Sequence, residues 1–221
     1  MVKYFKNIEK MLSLKDKAYQ VIKLEIIGGN LKPGLFLAEE KLSESMHISR
    51  GPIREALNRL EEEGFVTIIP RRGTAVSNIT VQEVKDISII RELLEPFAAK
   101  ESLSRISRSK LKEIKKEFIT LMAKPENKEN RMRFFVIDER FHKLLNEKCR
   151  NKKLIGILDN FENHTNWFIN LFLKNYSFKE SIEEHLSIIE AIEKNEEDLV
   201  ATTLILHLER VKNSILSEIV S

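Results

Sequence analysis

Two sets of residues in this 221-residue chain have the types and spacing needed to bind a partner. The first lies on one predicted helix, where Arg50, Arg54 and Asn58 are at i, i+4 and i+8 and share the outward face. Guanidinium and amide groups at such positions can donate paired hydrogen bonds to guanine and adenine edges and to phosphates. Ser49 precedes the helix as a candidate N-cap. The pattern favours a helix that reads DNA, with an ordinary solvated helix face as the alternative.

The second set combines one carboxylate with three imidazoles. Asp138 and His142 are at i and i+4 in an apolar helix stripe, so both side chains point to the same spot. His185 lies ten residues before Asn195, which marks a turn, and His207 lies twelve residues after it. At 1.5 Å per residue these separations are roughly 15 and 18 Å, so an antiparallel helix pair brings both imidazoles to nearly the same height. An Asp and three His converging inside a helical bundle suit zinc or nickel, with manganese as a further candidate.

The alternative interpretation of this second set is structural, because a lone histidine on an apolar face is more often a core residue than a ligand. His164 is a rival ligand by the same reasoning, since it shares an apolar helix face with Phe161 and Phe168. We interpret His164 as a core or pocket-lining residue.

Composition restricts the classes of protein to which the chain can belong. A net charge of +3 provides no global basic field, so any nucleic-acid surface must be local. The single cysteine, Cys149, excludes a disulfide framework and a cysteine-rich zinc site. No apolar run reaches membrane-spanning length, and Met1–Leu12 is too charged for a signal peptide, so we expect no membrane partner and a cytoplasmic location.

The N-terminal part has the elements of a winged helix-turn-helix. The predicted elements are helices over 14–27, 39–46 and from Ser49 to Gly64, and strands over 65–69 and 74–76. The two strands flank a hairpin tip that contains Arg71, Arg72 and Gly73. In this fold the third helix enters the major groove of double-stranded DNA, and the tip reaches a phosphate or the minor groove.

The C-terminal part is predicted to be all helical. Thr80 and Glu83 form a capping box that opens a long helix to about Ser107. Further helices are expected over 109–122, 127–148, 152–173 and 178–194, and from 196 to near the end. The predicted fold class is therefore mainly α, with a winged helix-turn-helix domain (1–78) followed by an all-helical bundle that binds a ligand (79–221).

Residues 14–78 resemble the GntR-type bacterial transcriptional regulators. The resemblance is carried by Leu31-Lys32-Pro33-Gly34, by Ser49-Arg50-Gly51-Pro52-Ile53-Arg54-Glu55-Ala56-Leu57, by Glu63-Gly64-Phe65-Val66 and by Pro70-Arg71-Arg72-Gly73. It implies that Arg50 and Arg54 contact DNA directly and that Gly73 and the wing arginines approach it. Three positions depart from the usual pattern, with Gly51 for a threonine, His47 for a turn glycine and Glu40 for an arginine.

Residues 80–215 resemble the FCD ligand-binding domain of the FadR-like branch. The matching segments are Asp138-Glu139-Arg140-Phe141-His142-Lys143-Leu144-Leu145, Glu184-His185-Leu186 and His207-Leu208. The resemblance implies that Asp138, His142, His185 and His207 hold a divalent metal ion and that a small organic acid binds beside it. Arg91 lies on the inward face of the first helix of this part. A buried guanidinium needs a carboxylate, which is either an internal glutamate or that of the effector.

These features favour a homodimeric transcriptional regulator, not an enzyme, that binds a DNA operator under the control of a small carboxylate effector. Two alternatives remain. One is a regulator in which the metal ion itself is the signal, and the other is a metal-dependent hydrolase fused to a DNA-binding module.

Overall fold

A computed structural model describes residues 13–172 and 177–220. Met1–Leu12 and the predicted last residue of the 152–173 helix lie outside the described residues. The chain divides into two compact units, Met1–Ile79 and Thr80–Ser221. Within the described ranges, no helix combines the length and the apolar character needed to cross a membrane.

The N-terminal unit is built from helices and a small antiparallel sheet. Its elements are α1 (Leu14–Ile27), β1 (Phe36–Leu37), α2 (Glu39–Met46), α3 (Arg50–Glu62), β2 (Val66–Ile69) and β3 (Gly73–Val76). The sheet has the order β1-β3-β2, with Phe36 opposite Ala75 and Val66 opposite Val76. The strand β1 was not predicted, because two residues are too short for an alternating pattern.

The core of this unit lies between α1 and α3. Ala18, Ile22 and Ile26 of α1 are buried. The predicted apolar face of α3 is also buried, and its members are Ile53, Ala56, Leu57 and Leu60. Because this face anchors α3, the opposite face is left to solvent.

The C-terminal unit is a helical bundle. Its helices are α4 (Val81–Ser102), α5 (Arg108–Met122), α6 (Lys128–Asn146), α7 (Lys152–Phe172), α8 (Phe178–Lys194) and α9 (Glu197–Val220). The Thr80 side chain accepts a hydrogen bond from the backbone N–H of Glu83, which confirms the predicted start of α4. The predicted end near Ser107 is wrong, because a 3₁₀ turn over Leu103–Arg105 follows Ser102 and buries Leu103.

The packing of these helices brings distant segments of the chain together. The helix α4 packs along α9, α7 and α6, and α8 packs against both α9 and α5. Asn195 ends α8 in a left-handed conformation (φ 60°) and reverses the chain into α9. The bundle is filled by large side chains that include Phe118, Phe134, Phe141, Trp167, Phe168 and Phe178.

Candidate DNA interface and metal centre

The predicted DNA-reading face of α3 is open to solvent. Arg50, Arg54 and Asn58 are all exposed, whereas the apolar face of the helix is buried. Ser49 occupies the N-cap position as predicted, but its hydroxyl makes no capping hydrogen bond. The Ser49 side chain is exposed at the start of the helix.

Both arginines of this face are paired with glutamates from the first turn of α2. Arg54 donates from Nε to Glu39 Oε1 over 3.1 Å and from Nη2 to Glu39 Oε2 over 2.8 Å. Arg50 donates from Nη2 to Glu40 Oε1. Hydrogen bonding to Arg54 lowers the pKa of Glu39 below its ordinary value. The sequence drew attention to Glu40 as a departure from the family pattern, but it gave no sign of these pairs.

The turn between α2 and α3 is tight. His47 ends α2 with φ 54° and ψ 39°, in the left-handed region that glycine adopts more readily. The histidine at this turn therefore occupies a strained backbone conformation that a glycine would adopt without strain.

The wing tip is exposed and carries two arginines. Arg71 has φ 64° and Gly73 has φ 105°, so both residues take part in the sharp turn between β2 and β3. The Arg72 guanidinium lies 5.7 Å from the centre of the Phe36 ring, in a cation–π contact with β1. The three predicted wing residues thus lie together at one exposed turn.

The four predicted metal ligands come together at the centre of the helical unit. Each of Asp138, His142, His185 and His207 offers one ligand atom within 4.8 Å of the others, and all four residues are buried. The His185 and His207 ring centres are 4.5 Å apart, in agreement with the height predicted from their distances to Asn195. The His142 ring centre lies 5.5 Å from that of His185 and 5.4 Å from that of His207.

Carboxylates outside this cluster orient two of its imidazoles. His207 Nδ1 lies 2.7 Å from Glu184 Oε2, and His142 Nδ1 lies 3.2 Å from Glu95 Oε2. When Nδ1 donates its proton to a carboxylate, Nε2 is left as a lone-pair donor that can bind a metal. Histidine ligands in metal sites are commonly oriented in this way.

His185 has buried ring nitrogens that the protein does not satisfy. Its Nε2 is 3.2 Å from Asp138 Oδ1, but neither ring nitrogen makes a hydrogen bond within the described part of the chain. Phe118 stacks on one side of the ring at 5.0 Å. A buried polar group without a partner is costly, and a metal ion would remove that cost. The donor set of one carboxylate and three imidazoles therefore fits a divalent transition metal ion.

The protonation of the cluster follows from burial and charge. Burial lowers the pKa of His185 well below its ordinary value and, with the charge of His142, lowers the pKa of His207 to about 4. Both imidazoles are therefore neutral, as metal ligation requires. Burial also raises the pKa of Asp138 to about 7. Burial opposes the charged form of His142, but Glu162 and Glu95 outweigh it and raise its pKa to about 9.

Arg91 lies beside this cluster in a buried ion-pair network. Its guanidinium donates to Glu95, to Glu162 Oε2 over 2.8 Å and to Thr165 Oγ1 over 2.6 Å. Arg91 is 4% exposed, so water has little access to these contacts. The sequence left two possible partners for Arg91, an internal glutamate or the carboxylate of an effector. In the described structure its charged partners are the internal glutamates Glu95 and Glu162. Glu95 lies one helical turn after Arg91 and was accessible to sequence reasoning, whereas Glu162 lies on another helix.

Arg91 and residues of the metal cluster line the same small cavity. It is about 10 Å³ in volume, which is room for about one water molecule. Its lining includes Arg91, Asp138, His142, Glu162 and His207. A larger ligand would require these side chains to move apart.

His164, the rival ligand, is buried elsewhere in the bundle. Its ring packs on Trp167 and Phe168 at 6.1 and 6.0 Å, and its Nδ1 is 3.9 Å from Glu83 Oε1. Among the described residues, a second group that could hold a metal ion consists of Glu95, His142 and Glu162, and His164 belongs to neither group.

Comparison with protein-family models identifies both parts of the chain. Residues 14–76 match the model "Bacterial regulatory proteins, gntR family", and residues 86–210 match the FCD domain. The FCD match alone covers more than half of the chain.

Curated relatives extend over nearly the whole chain. The HTH-type transcriptional repressor RspR of Escherichia coli (strain K12) is 26% identical over 203 residues, which are 91% of this chain and 89% of that protein. The gluconate operon transcriptional repressor of Bacillus licheniformis is 27% identical over 205 residues, 89% of this chain and 84% of that protein.

Solved structures share the fold. E. coli McbR/YncC superposes with a TM-score of 0.80 at 19% identity and covers 96% of this chain and 100% of its own. A Listeria monocytogenes protein described as Lar superposes with a TM-score of 0.60 at 19% identity, covering 93% and 97%. The matched domains and relatives are those of transcriptional regulators and not of enzymes, which removes the hydrolase alternative. The chain belongs to the GntR family of bacterial regulatory proteins, carries a C-terminal FCD domain, and is a DNA-binding transcriptional regulator.

Proposed function

We propose that the operator affinity of this regulator is controlled by a small organic acid that binds beside a divalent metal ion in the FCD domain. One observation carries the proposal. The buried ligand atoms of Asp138, His142, His185 and His207 lie within 4.8 Å of one another, and His185 has no hydrogen-bond partner in the described structure. Zinc or nickel suits this donor set best, and manganese is the further candidate.

The residues around the cluster support such a site. Glu95 and Glu184 each face the Nδ1 atom of a candidate ligand, which directs the Nε2 atoms of His142 and His207 inward. A metal ion that takes five or six ligands and is held by these four residues would supply a Lewis acid with open coordination positions for a carboxylate, whereas a tetrahedral zinc ion would have none.

Arg91 is the proposed second anchor for the acid. It already binds two carboxylates, so an incoming acid must replace one of them. The Glu162 side chain is 17% exposed and that of Glu95 only 2%. Glu162 can therefore turn towards water at lower cost, and the vacated space enlarges the cavity that it lines.

The route to DNA follows from the order of elements along the chain. Arg91 lies about three turns into α4, since one turn is 3.6 residues, and α4 begins only a few residues after the wing strand β3 ends at Val76. In a homodimer on a near-palindromic operator, a shift of α4 would alter the spacing of the two winged domains. Only a difference in acid affinity between the two arrangements can drive that change.

A second candidate function has a specific observation in its favour. The cavity holds about one water molecule, and Arg91 is already neutralised by Glu95 and Glu162. Both facts are compatible with a regulator in which the metal ion itself is the signal.

The metal site is tested by the metal content of purified protein. Wild type, Asp138→Asn and Glu139→Gln are dialysed against limiting zinc, nickel or manganese, and the bound metal is measured by inductively coupled plasma mass spectrometry. Glu139 is the matched control, because it is the neighbouring carboxylate but is exposed on α6. We expect one ion per chain in wild type and Glu139→Gln, and a clear loss in Asp138→Asn. Equal metal content in all three proteins would refute the proposed ligand set.

A further inference from the structure

The helix α4 carries a stripe of apolar side chains on its solvent-exposed face. Ile89, Leu93 and Phe97 follow one another at intervals of four residues and are 50%, 69% and 53% exposed. Residues at this spacing are neighbours on a helix surface, so the three side chains form one continuous stripe, which we call the outer stripe of α4. Within the described part of the C-terminal unit, no other helix has three exposed large apolar side chains at this spacing.

The residues of this helix face are arranged symmetrically about Leu93. Ile89 lies four residues before Leu93, and Phe97 lies four residues after it. Asp86 and Lys100 lie seven residues before and after Leu93, which is close to two helical turns in each direction. The outer stripe is therefore flanked by a negative charge at its N-terminal end and by a positive charge at its C-terminal end.

The two flanking charges can take up new partners at little cost. Asp86 accepts a hydrogen bond from Gln82 over 2.8 Å, an exposed contact within the same helix. Lys100 donates to Asp198 over 2.6 Å, and the Asp198 side chain is 98% exposed. Exposed contacts of this kind contribute little to stability, so a charge from outside the chain can compete with them.

A second copy of α4 is complementary to this pattern when the two helices run antiparallel. If a two-fold axis passes at Leu93, each residue before Leu93 faces the partner's residue at the same distance after it. Ile89 then faces the partner's Phe97, and Asp86 faces the partner's Lys100, at both ends of the stripe. In a parallel pair Asp86 would instead face its own copy, which places like charges together.

The outer stripe has the size expected of the centre of a dimer interface. Its three side chains, each at least half exposed, present roughly 300 Å² of apolar surface, if a fully exposed large side chain has about 150–250 Å². An apolar patch of a few hundred Å² with a polar rim is typical of an interaction site. A standard interface buries about 800 Å² on each partner and has an apolar core within a polar rim. The stripe supplies such a core, and the flanking charges belong to the rim.

We propose that a second copy of this chain packs antiparallel on the outer stripe of α4, with the two-fold axis at Leu93. The symmetry of a near-palindromic operator calls for a dimer, and this inference assigns the place of contact. The contact lies on the exposed face of the helix that carries the buried Arg91. It does not depend on metal or acid control, because all four candidate metal ligands come from one chain.

The variant Leu93→Glu tests the centre of the interface. A residue on the axis meets its own copy, so this substitution places two carboxylates against each other in apolar surroundings. Ile119→Glu is the matched control, because Ile119 is 53% exposed on α5, which packs on α6 and α8. The full-length proteins are compared by sedimentation velocity over a series of concentrations, and circular dichroism verifies their helical content.

We expect wild type and Ile119→Glu to be dimers at micromolar concentration. Leu93→Glu should raise the dissociation constant of the dimer by at least about 100-fold and should bind as much metal as wild type. A folded Leu93→Glu that dimerises as well as wild type would overturn the proposed contact, and so would an equal loss in Ile119→Glu. A monomeric wild type would overturn the second copy as the occupant of the stripe. Metal content is measured separately, so failure of the dimer contact and failure of the metal site are distinguishable.

Charge reversal tests the antiparallel register without changing the apolar stripe. Asp86→Lys or Lys100→Glu alone places like charges opposite each other at both ends, so each should raise the dissociation constant of the dimer about tenfold. Both positions lie at the exposed surface of the helix, so the fold is retained. The double variant Asp86→Lys/Lys100→Glu restores opposite charges and should recover most of the lost affinity. A double variant that is weaker than either single variant would refute the antiparallel pairing.

Discussion

Removal of the Arg91 guanidinium is expected to destabilise the helical unit strongly. Arg91→Met retains much of the volume of the side chain but deletes the donors to Glu95, Glu162 and Thr165. Glu162 is partly exposed and can turn to water, whereas Glu95 is 2% exposed and keeps only His142 as a charged partner. Breaking a buried ion pair from one side typically costs about 3–5 kcal/mol, because the remaining charge is buried without compensation.

The electrostatics of Glu95 support the direction of this effect. Burial alone would raise the pKa of Glu95, but Arg91 and His142 outweigh burial and lower the pKa to about 2 from an ordinary value of 4.5. Removal of Arg91 takes away the first of these two opposing charges, so keeping Glu95 ionised in the interior becomes more costly.

The single tryptophan of the chain provides the assay. Trp167 is buried in α7, so its fluorescence during urea unfolding reports on the helical unit alone. Measurements are made on protein treated with a chelator, so that metal binding does not contribute. Arg140→Met is the control, because Arg140 pairs with Glu113 and Glu117 at a half-exposed site and its loss should cost less than about 1 kcal/mol.

A double variant separates loss of the pair from loss of packing. Arg91→Met/Glu95→Gln has no uncompensated charge at the Glu95 position, so it should recover at least half of the stability lost in Arg91→Met. A free energy of unfolding for Arg91→Met within about 1 kcal/mol of wild type would refute the reasoning about the buried pair.

Three further predictions follow from other parts of the molecule. Arg54→Ala should lower operator affinity by about 1–3 kcal/mol in gel-shift titrations at fixed salt while the fold is retained, and unchanged affinity and discrimination would contradict a base-reading role. Sedimentation velocity at micromolar concentration should give the mass of a homodimer, and a monomer that persists in the presence of DNA would contradict a near-palindromic operator. Glu63→Gln should destabilise the N-terminal unit by about 1 kcal/mol at pH 7 in circular-dichroism melts, because Glu63 accepts hydrogen bonds from Lys23 and Tyr19. Burial opposes the charged form of Glu63, but these partners outweigh it and lower its pKa, so its contribution is present above its ordinary pKa and lost as pH falls through the folded-state value. The deficit should therefore disappear in acid, and equal deficits at pH 7 and pH 3 would exclude the carboxylate as its cause.

The sequence was most informative where helix periodicity decides position. The rise per residue and the Asn195 turn predicted that His185 and His207 meet, and their ring centres are 4.5 Å apart. The i, i+4 spacing placed Asp138 and His142 on the same side of α6, where both belong to the cluster. These are local rules, so a single sequence contains the information that they require.

Contacts that depend on the packing of separate helices could not be predicted in the same way. Glu162 reaches Arg91 from a position 71 residues away, because α7 packs on α4. The Glu39 and Glu40 contacts depend on how α2 crosses α3. The spacing of residues along one helix gives no information about the register of another.

Control of operator affinity by an organic acid at the metal site is tested most directly by the operator dissociation constant of metal-loaded protein, measured with and without each of a set of small organic acids. We expect an active acid to weaken operator binding by roughly 5- to 150-fold, as a coupling of 1–3 kcal/mol gives. The same acid should have no effect on Asp138→Asn, although this variant binds the operator. Control by an acid at the metal site would be contradicted if the acid changed the operator dissociation constant of Asp138→Asn as much as that of wild type. It would also be contradicted if metal binding changed the operator dissociation constant of wild type and none of the acids did.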